Sequence, residues 1–134
     1  MNLKLTSLFL LLIAVSCKKE NDSNLEKISG DYKVYQLVIE DPNDGPQVTP
    51  VPAADGSYSK AVVKANNDSS MTVKIYYFSK QNDTLNKESL TGRVVKNTNG
   101  DLRFMSGNNW LGTFGKDADV ELYPDAKRTL YARK

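Results

Sequence analysis

Residues 71–79 read MTVKIYYFS, and their alternation decides the fold class. In an extended chain Met71, Val73, Ile75 and Tyr77 share one face, while Thr72, Lys74, Tyr76 and Phe78 share the other. That is the period of two a strand imposes, and β-branched and aromatic residues suit it. Upstream, the polar turn Asn66-Asn67-Asp68-Ser69 separates this strand from another over 58–65. Downstream, Gln81-Asn82-Asp83 turns the chain toward a strand over 90–96, with Leu90, Gly92 and Val94 inward and Arg93 outward. Asn97-Thr98-Asn99-Gly100 is a hairpin signal, because Asn-Gly supplies the positive φ angles of tight turns. It leads into 101–105, where Leu102 and Phe104 share a face.

Further along, Trp110, Gly112 and Phe114 share a face of a strand over 109–115. Val120 and Leu122 do so over 118–123, and Leu130 and Ala132 over 128–133. The first strand, 28–40, carries Tyr32, Val34, Gln36 and Val38 on one side and Lys33, Tyr35, Leu37 and Ile39 on the other, so both faces are partly apolar. Residues 41–57, DPNDGPQVTPVPAADGS, hold four of the five prolines and are expected to form a long lid-like loop without a ladder. Asp41-Pro42-Asn43-Asp44-Gly45 lacks the spacing of a calcium loop and reads as a turn. No stretch keeps a helical period over ten residues. The expectation is an all-β domain over 28–134, an eight-stranded antiparallel up-and-down barrel or barrel-like meander, since closure removes exposed edges.

The chain of 134 residues has no histidine, and Cys17 is its only cysteine. Disulfide frameworks, zinc sites and nucleophilic machinery built on His or Cys are thereby excluded. Asp117, Asp119 and Glu121 invite comparison with a carboxylate pair, but alternation with Ala118, Val120 and Leu122 explains their spacing as a solvated strand face. The expectation is no enzyme, no metal and no cofactor. Without Lys4 the charges stand at 17 basic against 16 acidic side chains, spread along the chain, which argues against a nucleic-acid partner.

At the amino end, Lys4 precedes the apolar run 8–15, which is shorter than the about 20 residues a membrane span needs. Ser16 and Cys17 end the run, and KKENDSN follows. This arrangement resembles the lipobox of bacterial lipoproteins, with Ala14 where that family usually has Leu or Val. The resemblance implies a signal peptide over 1–16, a lipid anchor on Cys17 and a flexible tether over 17–27. Lys18 in place of aspartate, and the string CKKEND, are similar to outer-membrane sorting and surface-export signals of lipoproteins in the Bacteroidota. The implied location is the outer membrane, with the cell surface favoured over the periplasmic leaflet.

Gly30-Asp31-Tyr32 at the start of the first strand is similar to the Gly-x-Trp of the lipocalin-like family, with Tyr for Trp. The long loop at 41–57 falls where that family has its lid, and Arg128 or Arg133 in the last strand could stack on Tyr32. The resemblance implies a barrel holding a small apolar or amphipathic ligand without covalent chemistry. Its expected lining is Tyr32, Val34, Val73, Ile75, Tyr77, Leu90, Phe104, Trp110 and Phe114. The same residues would equally serve to pack the core of a small barrel. A protein-interaction module, an inhibitor, adhesin or accessory subunit using Tyr35, Leu37 and Ile39 as an exposed patch, is the other reading.

Overall fold

Nine strands and one short helix make up the computed structural model, which describes residues 24–134. The helix α1 is Asn24–Ile28. The strands are β1 Gly30–Asp41, β2 Gly45–Pro50, β3 Tyr58–Asn67, β4 Ser70–Phe78, β5 Thr84–Lys96, β6 Leu102–Ser106, β7 Asn109–Phe114, β8 Asp119–Asp125 and β9 Arg128–Arg133. Each strand from β3 to β9 pairs antiparallel with the next, and β1 pairs with both β3 and β9. Eight strands therefore close into an up-and-down barrel, the architecture the lipocalin-like resemblance implies.

The ninth strand corrects the expectation of a ladderless loop over 41–57. β2 lies inside that stretch and pairs with β1 from Gln36↔Pro50 to Asp41↔Gly45. Its prolines are compatible with pairing because β2 is an edge strand, where a missing N–H need not break a ladder. Asp41 forms the turn between the two strands: its Oδ1 accepts from the backbone N–H groups of Asn43 and Asp44 at 2.8 and 3.2 Å. β5 is also longer than expected, beginning at Thr84.

The tether expected as far as Lys27 is helical from Asn24. Leu25 is buried at 3% exposure and belongs to the core, so α1 closes one end of the barrel. Three hydrogen bonds pin it. Tyr32 Oη donates to the Ile28 carbonyl at 2.6 Å, Ala65 N–H donates to Ser29 Oγ at 3.1 Å, and Lys134 Nζ donates to the Lys27 carbonyl at 2.7 Å. Residues 1–23, which include the signal-peptide and Cys17 readings, lie outside the described residues.

Inside, Tyr32, Phe114 and Phe104 form an edge-to-face series with centroids 6.2 and 6.4 Å apart. Gly92 makes room for it. A Cβ there would meet the Met105 carbonyl and lie 2.9 Å from the Phe104 ring. Met71, Val73, Ile75, Leu122, Leu130, Ala61 and Ala132 fill the remaining interior with essentially no exposed surface.

Candidate functional site

The expected ligand-lining residues divide three ways. Tyr32, Val34, Val73, Ile75, Phe104 and Phe114 are buried together in a single cluster, and Tyr77 and Leu90 pack against it. Trp110 lies elsewhere, 49% exposed on the outer wall. The reason is local: β6 and β7 shift register between Phe104↔Gly112 and Met105↔Trp110, leaving Leu111 as an extra residue. A bulge of this kind reverses the faces on either side of it. Trp110 accordingly packs against Tyr123 at 5.5 Å and Arg103 at 5.2 Å, and its Nε1–H donates to the Gly112 carbonyl.

A second bulge reshapes β1. Val34 pairs with Ala132 but Gln36 with Tyr131, so Tyr35 is the extra residue. Leu37 then stands opposite buried Leu130 and packs against the core, which removes it from the expected outer patch with Tyr35 and Ile39. Tyr35 itself faces outward, under Arg133, whose guanidinium carbon is 4.1 Å from its ring centroid. The expected stacking of Arg128 or Arg133 on Tyr32 is thus corrected: the cation over Tyr32 is Lys134, at 5.6 Å.

Arg128 instead reaches across the lumen. Its guanidinium meets Glu88 of β5 through two contacts, at 2.8 and 3.2 Å, donates to Tyr77 Oη at 3.2 Å, and donates through Nε to Asp125 at 2.7 Å. β5 and β9 stand four places apart around a ring of eight strands, so this pair spans the barrel at the end opposite α1. Hydrogen bonds to Glu88 hold the Arg128 guanidinium well above its ordinary pKa, and burial pushes the Tyr77 phenol up to about 12. With apolar side chains filling the middle, α1 below and this bridge above, the lumen is occupied by the protein's own groups.

One recess on the wall stands out for its apolar lining. β1 and β3 pair only from Gly30↔Val63 to Lys33↔Lys60, after which β1 continues with β2 while β3 continues with β4 alone. The two strands diverge and leave a seam. A recess of about 770 Å³ occupies it, lined by Lys33, Val34, Tyr35, Val51, Pro52, Tyr58, Ser59, Lys60, Arg133 and Lys134. Val51 packs inward against the core and floors the seam. Tyr58 stacks on Phe78 at 4.8 Å, and its hydroxyl donates to Asn82 Oδ1, fixing one rim. Four of the ten lining residues are cations and none is acidic. Sequence reasoning did not find this site, because it arises from the parting of two strands rather than from any local pattern.

No known family, curated protein or solved structure matches the chain.

Asp119 and Glu121 lie on the outer wall of β8, and Asp117 in the turn before it. Glu121 accepts from Tyr131 Oη at 3.2 Å. No helix among the described residues is long and apolar enough to cross a membrane.

Proposed function

We propose that the protein is a lipid-anchored β-barrel that holds a small apolar or amphipathic molecule without transforming it, in the seam between β1 and β3. One observation carries the reading. The seam recess, of about 770 Å³, combines an apolar floor with aromatic rims, the make-up of a small-molecule site. The packed lumen supports placing the ligand on the wall. Anchoring rests on the lipobox resemblance at Cys17, and outer-membrane location on the residues that follow it.

Binding is tested with the neutral fluorophore N-phenyl-1-naphthylamine on the Cys17→Ser chain, which carries no acyl group. Saturable binding of one probe per chain is expected. Removing an aromatic rim with Tyr58→Ala should weaken it roughly tenfold, equivalent to about 1.4 kcal/mol, and Trp110→Ala on β7 should leave it unchanged. Absence of saturable binding, or equal effects of the two substitutions, refutes the seam as a ligand site.

A second reading, the cell-surface interaction module, draws on β2. That strand pairs on one side only, with β1, and presents Val48 at 61% exposure beside an open edge. An unpaired edge of this kind offers a template for strand addition by a protein partner. Loss of partner capture on Val48→Lys, with probe binding intact, would favour it.

A further inference from the structure

We propose that the seam selects an amphipathic anion, a single apolar chain bearing a carboxylate or phosphate head; this rests on the seam being the ligand site. The observation is a row of cations that strand register creates. Lys60 of β3 stands directly opposite Lys33 of β1, and Lys33 stands directly opposite Arg133 of β9. Three positive side chains therefore lie side by side across three neighbouring strands on the outer wall, along the lower rim of the recess.

Like charges placed directly opposite one another destabilise a sheet, and the one opposite charge in register with the row is Asp119 of β8, across from Arg133. No carboxylate among the described residues forms an ion pair with Lys33, Lys60 or Arg133. Asp31 is two residues from Lys33 on the same strand, and Asp119 stands opposite Arg133, yet neither lines the recess. The cations lean instead on aromatic faces. Lys60 Nζ is 5.7 Å from the ring centroids of both Tyr76 and Phe78, and Arg133 covers Tyr35.

An oxyanion at this rim would neutralise the row, and the fork of Arg133 suits the paired oxygens of a carboxylate or phosphate. The apolar body would lie over Val51 and Pro52 toward Tyr58. Neither half of the site explains the other. An apolar recess alone needs no cation row, and a cation row alone needs no recess.

The test compares ligands in the Cys17→Ser chain by displacement of N-phenyl-1-naphthylamine. The probes are dodecanoate, dodecyl phosphate, dodecanol, dodecyltrimethylammonium and inorganic phosphate. Dodecanoate or dodecyl phosphate should bind at least tenfold tighter than dodecanol, the trimethylammonium should bind most weakly, and inorganic phosphate should not compete. The relative strength of the first two identifies the head group. The anion's advantage should vanish in 1 M salt, where screening is nearly complete, and in the double variant Lys33→Gln/Arg133→Gln. Because both residues line the recess, the readout in that variant is the ratio of dodecanoate to dodecanol affinity, which should fall to about one, with a thermal melt to show that it folds.

Equal affinity for dodecanoate, dodecyl phosphate and dodecanol overturns the anion and leaves the seam standing. So does undiminished anion binding in the double variant. Tight binding of inorganic phosphate overturns the amphipathic part. Failure of the neutral fluorophore to bind the Cys17→Ser chain removes the seam itself.

Discussion

Tyr32 joins the barrel to its plug. The ring is 1% exposed against Phe114, and the hydroxyl donates to the Ile28 carbonyl at the end of α1. Burial raises its phenol from 10.0 to about 12, since a phenolate would lack solvation there. The sign of the pH effect follows. The unfolded chain ionises near 10 and the folded chain near 12, so the stability held by the neutral phenol is complete below pH 10 and is lost as pH rises toward 12. Tyr77, held near 12 by burial and by Glu88, acts in the same direction. Tyr32→Phe is expected to cost about 1 kcal/mol at pH 7 through the lost hydrogen bond and to flatten the decline between pH 10 and 12. Urea titrations at pH 7 and at pH 11 measure both effects, and an unchanged alkaline slope would contradict the assignment.

Among the elements, five register shifts between paired strands bear on which side chains face where, three of them in β1, β5 and β7. Tyr35 in β1, Leu85 in β5 and Leu111 in β7 each stand as extra residues between paired strands. The first turns Leu37 into the core and the third puts Trp110 outside. Period-two reading along one strand cannot foresee this, because a bulge exists only relative to the partner strand. The bridge from β9 to β5 is another contact between elements far apart in sequence. Arg128 and Glu88 keep 29% and 22% of their side-chain surface, so solvent weakens the pair. A double-mutant cycle on Arg128→Ala and Glu88→Ala is expected to give a coupling of about 1 kcal/mol, carried by bidentate geometry rather than deep burial. A coupling near zero would mean that the bridge contributes nothing to closing that end.

For the whole molecule, the barrel is closed, with the plug at one end and the bridge at the other, and the proposed ligand would sit on the side wall. On the proposed anchoring, Cys17→Ser moves the protein from the membrane fraction to the soluble fraction, as cell fractionation would register. Continued firm membrane association would exclude a lipid on that residue. The groove and the cation row should be intact in that released protein, because they are built wholly from residues between Lys33 and Lys134.

Sequence alone determined the all-β class and most of the inward set, because alternation such as Val73, Ile75 and Tyr77 is a local pattern that every strand repeats. It also placed the hairpin at Asn97 to Gly100 and the turn at Asp41, where short side chains bond their own backbone. β2 escaped it, since two prolines in six residues mark a breaker everywhere except at a sheet edge. Only tertiary structure decided the seam and the alignment of Lys60, Lys33 and Arg133. Those residues lie far apart in the chain, and their adjacency depends on strand register and on where β1 leaves β3 for β2, both set by packing around the closed core.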